Sequence, residues 1–170
     1  RAKNDPHSKV DKGNHEVPKI SWDYMYMKEK HKGKRPEEIT GEGLPIVVMK
    51  VSGGAGCKGA IAFAVPNKGE CEYAISRGAS DVNKILGYKK AIFKGDQEPA
   101  LRTLMDRIKM LAGEQIIMEE SPVGESQSNG DVENAVQRIQ GQYRSHKSDT
   151  ETEYKNKIES DHPFLPWLVR

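Results

Sequence analysis

Cysteine is nearly absent from this chain: Cys57 and Cys71 are the only two in 170 residues. Two thiols build neither a disulfide framework nor a complete cysteine-based zinc site. Aromatic residues are few as well, 6% of the chain, and 35% of residues are hydrophobic against 31% charged. Mean hydropathy is −0.76. No run approaches the roughly 18 apolar residues of a membrane-spanning helix, and the longest, at 45–51 and 60–66, are strand-sized. A surplus of one charge sign is also missing. The 27 Lys+Arg and 25 Asp+Glu leave +2 with His neutral, which excludes a histone-like polycation. Local basic patches remain free to meet nucleic acid. The first residues lack the charged-then-apolar pattern of a secretory signal, so an intracellular protein is expected, with both cysteines as small packing residues in a reducing compartment.

What is present is a change of hydrophobic period along the chain. Residues 1–18 (RAKNDPHSKVDKGNHEVP) are polar and aperiodic and read as a flexible leader. Residues 20–27 (ISWDYMYM), 44–51 (LPIVVMKV) and 58–65 (KGAIAFAV) read as strands, the first two separated by a basic loop that carries Lys28, Lys30, Lys32, Lys34 and Arg35. Residues 71–86 read as an amphipathic helix interrupted at Gly78. Residues 89–94 (KKAIFK) read as a short strand running into Asp96. Leu101, Leu104, Met105, Ile108 and Leu111 recur at helical spacing, with Pro99 at the start and Gly113 at the end. Residues 115–118 (QIIM) give a fifth strand. A Ser- and Gly-rich loop leads from there to a last helix, with Ser128 as N-cap and a stripe of Val132, Ala135, Val136, Ile139 and Tyr143. Residues 146–161 are charged and weakly patterned, and the chain ends on an abrupt apolar segment.

The expected order is β-β-β-α-β-α-β-α. Short turns make the first three strands an antiparallel meander, and the helical connections make the later strands crossovers. The expected fold class is α/β, a mixed five-stranded sheet flanked by helices. The expected division is a leader at 1–18, a core at 19–146, and a charged segment with a cut-off C-terminal element at 147–170.

Three carboxylates occupy unusual places. Asp23 interrupts the apolar pattern of the first strand, Asp96 follows the fourth, and Glu133 opens the last helix; 36 residues lie between Asp96 and Glu133. Three converging carboxylates repel and their pKa values rise, unless divalent cations neutralise them. Hard oxygen donors suit Mg²⁺ or Mn²⁺. Two such ions, roughly 3.5–4 Å apart, stabilise both the attacking and the leaving oxygen of a phosphodiester displacement. In that arrangement Asp23 bridges the ions, Asp96 holds one and Glu133 the other. Taken singly, each carboxylate also reads as an edge residue, a helix cap or a solvated first-turn residue.

With its flanking residues, this set resembles the catalytic core of retroviral and long-terminal-repeat retrotransposon integrases, which are DDE polynucleotidyl transferases of ribonuclease-H-like fold. Trp22-Asp23-Tyr24 matches the family's first Asp in its first strand. Asp96-Gln97-Glu98-Pro99-Ala100-Leu101 matches a segment like D-N-G-P-E-F. The stretch from Pro122 to Asn134, with Gln127-Ser128-Asn129-Gly130-Asp131-Val132-Glu133, matches a loop like P-x-x-P-Q-S-N-G-x-V-E-R and is the most specific of the three. The likeness covers about residues 20–145. The Asp96–Glu133 spacing is one residue longer than the family's usual gap. Gln97-Glu98 replaces its Asn-Gly and sets a further carboxylate beside the site. The family's His/Cys zinc domain and C-terminal DNA-binding domain have no counterpart here, so His7 and His15 read as linker residues.

The resemblance implies metal-dependent 3′-end processing and strand transfer of element DNA into target DNA by Asp23, Asp96 and Glu133 with two Mg²⁺ or Mn²⁺ ions. It implies double-stranded DNA as partner, a homodimer or higher multimer, no membrane, and a location in the nucleus or a cytoplasmic element particle. If Glu133 faces the metals, helical spacing carries Gln137, Gln140 and Arg144 to the same side, with Arg138 nearby, where they can touch phosphates and bases. Lys94 precedes the Asp96 turn and can meet a phosphate. Gln127, Ser128 and Asn129 offer uncharged contacts. Two other readings stand beside this one: a ribonuclease-H-type nuclease, with Asp149 or Asp161 as a possible fourth carboxylate, and a decayed core that binds DNA or dimerises without catalysis.

Overall fold

A computed structural model of the chain describes residues 17–26, 43–53, 59–113, 115–120, 130–159 and 162–169. It contains β1 (Lys19–Tyr26), β2 (Pro45–Ser52), β3 (Ala60–Ala64), α1 (Glu72–Ser80), β4 (Ala91–Gly95), α2 (Pro99–Ala112), β5 (Ile116–Glu120) and α3 (Gly130–Tyr154). The five strands form one sheet in the order β3-β2-β1-β4-β5. β1, β2 and β3 pair antiparallel, whereas β4 is parallel to both β1 and β5. This is the mixed five-stranded sheet expected from the sequence, with its first three strands antiparallel, and it makes β1 the middle strand.

The side-chain alternation of the strands assembles two apolar layers. Ile20, Trp22 and Tyr24 of β1 join Val47, Met49 and Val51 of β2 under α1 and α2. Met25 joins Ile46 and Val48 beneath α3. β2 is apolar without a break from Pro45 to Met49, because both of its faces are covered there. Trp22 stacks at a tilt on Phe93 of β4, with ring centroids 5.0 Å apart.

α2 starts where expected: Glu98 is extended (φ −61, ψ 119) ahead of Pro99 at the first helical position. Of its apolar stripe, Leu101, Leu104, Met105 and Ile108 are buried, whereas Leu111 is 59% exposed on the last turn.

Gly78 does not interrupt α1. It is buried at the crossing with α2, where an added Cβ would stand 2.5 Å from Ile108 Cδ1 and 3.5 Å from the Trp22 ring. The irregularity comes three residues later, in a π-helical turn over Asp81–Ile85. There the Leu86 N–H donates to the Asp81 carbonyl at 2.9 Å, and Gly87 then takes φ +68 and ends the element.

α3 lays Val132, Ala135 and Tyr143 against the sheet, with Val136 and Ile139 partly buried. It continues to Tyr154, so the charged residues 146–154 are helical and exposed for the most part. The apolar C-terminal segment forms a short 3₁₀ turn, Leu165–Val169, that packs Leu165, Leu168 and Val169 into the α3 layer. Among the described residues, no helix is long and apolar enough to cross a membrane.

Candidate functional site

β1 outruns its parallel neighbour. The β1–β4 ladder pairs Lys19 with Ile92, Ile20 with Phe93 and Ser21 with Lys94. Carried two residues further, that register sets Asp23 level with Asp96, one residue past the end of β4. On its other side Asp23 pairs with Val48 of β2. Alternation turns Asp23 to the α3 face, between Ser21 and Met25. Its carboxyl is therefore half-buried in the middle of the sheet rather than at an edge.

Three effects set the charge state of Asp23. Burial pushes its pKa up, the Tyr24 N–H donated to Oδ1 at 2.7 Å pulls it back, and the charges of Asp96, Glu98 and Glu133 push it up again, to about 6. The structure thus brings Asp23, Asp96 and Glu133 close enough for the second and third to act on the first, with Glu98 as a fourth contributor. Asp96 is exposed and its Oδ1 accepts the Glu98 N–H at 3.0 Å, an Asx turn that opens α2. Glu133 is exposed on the first turn of α3. Among the described residues, no three His, Cys, Asp or Glu side chains stand close enough together to hold a metal ion.

The other expected contacts divide. Gln137, Arg138 and Arg144 are exposed on α3, and Gln140 is half-buried. The Lys94 side chain is only 11% exposed and its ammonium lies 3.9 Å from Glu119 Oε1, an oxygen that also accepts from Lys19 Nζ at 2.9 Å. Gln127, Ser128, Asn129, the basic stretch from Lys28 to Arg35, and Cys57 lie outside the described residues.

Sequence reasoning missed Lys68. It reads as part of a turn, and nothing in the sequence links it to a residue 30 positions on. In the structure its Nζ donates to Glu98 Oε1 at 2.7 Å. The same Nζ lies 5.1 Å from the ring centroids of both Tyr24 and Tyr26. Burial lowers the Lys68 pKa, but its hydrogen bond and attraction to Glu98 outweigh that, so the net shift is upward. The Tyr24 hydroxyl accepts the Gly69 N–H at 3.0 Å, and burial pushes its pKa up.

A cavity of about 550 Å³ lies away from the carboxylates, at the β3 edge, with Arg77, Ile85, Ile139, His146 and Val169 in its walls. Arg77, Gln142 and His146 supply its polar groups, and none belongs to the expected site.

No protein-family profile matches this sequence, and no curated protein does. Among solved structures, the chain is similar to the catalytic core domain of BIV integrase, with 14% identity and a TM-score of 0.49 over 92% of this chain and 79% of that one. It is also similar to a chain of the simian T-cell lymphotropic virus intasome in complex with PP2A regulatory subunit B56 gamma. There the identity is 12% and the TM-score 0.44, over 89% of this chain and 46% of that one, so this chain spans less than half of its length.

Proposed function

We propose that this chain is the catalytic core of an element-derived integrase, a divalent-metal-dependent polynucleotidyl transferase acting on double-stranded DNA. The observation that carries the reading is the charge environment of Asp23. Carboxylates from α3 and from the turn after β4 act on a half-buried carboxyl of the middle strand and help raise its pKa to about 6. Like charges left without a counterion hold one another apart, and a hard dication relieves that repulsion and draws the oxygens in. Carboxylate oxygens are hard donors that suit Mg²⁺ or Mn²⁺, and Asp23, Asp96 and Glu133 are the residues that would hold two such ions.

Bound there, such ions supply an activated attacking oxygen and charge relief for the leaving oxygen of an in-line phosphodiester displacement. The chain's own contribution is positioning. The middle strand fixes Asp23, the Asx turn aims Asp96, and the first turn of α3 carries Glu133. Gln137, Gln140, Arg138 and Arg144 follow Glu133 along α3 and offer donors to the DNA backbone. Gln127, Ser128 and Asn129, from the preceding loop, offer uncharged donors, and Lys94 offers a cation once released from Glu119. The same site serves two reactions, hydrolysis near the 3′ end of the element DNA and attack of the freed 3′-hydroxyl on target DNA. The protein acts as a dimer or higher multimer, in the nucleus or in a cytoplasmic element particle.

The test is end processing and strand transfer on double-stranded element ends with Mn²⁺. Wild type yields joined product, and Asp23→Asn, Asp96→Asn and Glu133→Gln each lose it while circular dichroism stays native. Wild-type-like joining by any of the three contradicts the reading. Cleavage of an RNA–DNA hybrid without joining assigns a ribonuclease-H-type nuclease instead. DNA binding with neither reaction assigns a non-catalytic module.

A further inference from the structure

We propose that Lys68 is a positioning residue for Asp96, acting through Glu98: their ion pair straps the turn after β4 to the turn after β3. The inference rests on the reading of Asp96 as a metal-holding carboxylate. Asp96 is exposed and lies beyond the end of its strand, so packing does little to aim it. What aims it is the Glu98 N–H donated to Oδ1 at 3.0 Å. That bond lasts only while the backbone of Glu98 stays folded over Asp96.

The side chain of Glu98 is where the turn is tied down. Its Oε1 lies 2.7 Å from Lys68 Nζ, with each side chain 29% exposed. Lys68 is itself held. Its ammonium lies 5.1 Å from the ring centroids of Tyr24 and Tyr26, and the Gly69 N–H binds the Tyr24 hydroxyl at 3.0 Å. Tyr24 is only 8% exposed and belongs to the core. The strap thus runs from the buried face of β1 through Lys68 to Glu98 and on to Asp96. An isolated surface ion pair contributes little; this one joins two turns at the sheet end that carries Asp96.

Charge alone gives the opposite expectation for one variant, and that makes the role testable. Lys68 is a cation paired with Glu98, a carboxylate whose charge reaches Asp23, so if it acted only through its charge, Lys68→Met would tighten divalent-ion binding. If it positions Asp96, the same change loosens binding.

The experiment measures Mn²⁺ binding to the full chain without DNA, together with hydrogen exchange of the Glu98 amide in metal-free protein. Lys68→Met is expected to weaken Mn²⁺ binding about tenfold, the lower end of the effect of residues that orient metal ligands, and to speed Glu98 amide exchange. Lys68→Arg, which keeps charge, reach and ring stacking, is expected to behave like wild type. Glu98→Gln, which keeps the backbone donor but not the ion pair, is expected to speed the same amide. Unchanged or tighter Mn²⁺ binding by Lys68→Met, or an unchanged Glu98 amide in both variants, overturns the strap. Failure of the metal-site reading has a separate signature, wild-type Mn²⁺ binding that is indifferent to Asp23→Asn. In that case the amide exchange still decides whether the strap exists.

Discussion

Asp23, inside the middle strand, comes level with Asp96, one residue past the end of its parallel neighbour, when the register of the two strands is carried two residues on, and the charge of the second helps raise the pKa of the first. The relationship follows from register alone. Ser21 pairs with Lys94, and two further steps along both chains bring the carboxylates abreast. A slip of one residue would turn Asp23 to the opposite face of the sheet, into the layer of Trp22 and Phe93.

The raised Asp23 pKa makes stability pH-dependent with a defined sign. The folded state holds this proton more tightly than the unfolded chain, whose group titrates near 3.8 against about 6 in the fold. Stability from this group is therefore highest below the lower value and is lost as pH climbs to the upper one. Without metal, Asp23→Asn is expected to stabilise the protein by about 1–2 kcal/mol at pH 7, discounted for partial solvent screening, and by almost nothing near pH 4. Denaturant titrations of both proteins at the two pH values measure this.

Removing the neighbouring charges has a graded effect. Asp96→Asn and Glu133→Gln are each expected to lower the Asp23 pKa from about 6 without restoring 3.8, because burial is the larger cause. Carboxyl NMR titration of the metal-free variants reads this directly.

The sheet and its helices were legible because period and punctuation agreed. The apolar runs of β1 and β2, Pro99 ahead of α2 and Gly113 after it each had one physical reading. Asp23 stands out in the sequence because it violates the pattern of its own strand. Gly78 was misread for a physical reason. A glycine within an amphipathic run looks the same whether it breaks a helix or lets another helix approach, and only the position of Ile108 on α2 distinguishes the two. The Lys68–Glu98 pair was invisible because it arises when two turns meet at one end of the sheet. The extension of α3 to Tyr154 was missed because its last turns carry no apolar stripe.

The close approach at Gly78 predicts a coupled pair. Gly78→Ala gains helix propensity but drives a methyl to 2.5 Å from Ile108 Cδ1. The net expectation is a loss of about 1 kcal/mol, overpacking outweighing propensity. Ile108→Val deletes the clashing atom, so Gly78→Ala made in that background should cost less than in wild type. A double-mutant cycle by chemical denaturation measures the coupling.

Arg77 and Asp81 predict an asymmetry. Arg77 Nε lies 2.9 Å from Asp81 Oδ2, with the Asp81 side chain 3% exposed and that of Arg77 24%. Arg77→Met strands a buried carboxylate and is expected to cost about 2–3 kcal/mol. Asp81→Asn leaves an arginine that reaches water and is expected to cost about 1 kcal/mol. Equal losses in thermal or denaturant unfolding would contradict this account of the pair.

The central claim is that the carboxylates around Asp23 are arranged for divalent cations. The most direct measurement is the Asp23 carboxyl titration by NMR with and without saturating Mg²⁺. The account predicts a midpoint of about 6 without metal, displaced below the ordinary carboxylate range when Mg²⁺ is present, and displaced less in Asp96→Asn and Glu133→Gln. A midpoint that Mg²⁺ leaves where it was would contradict it.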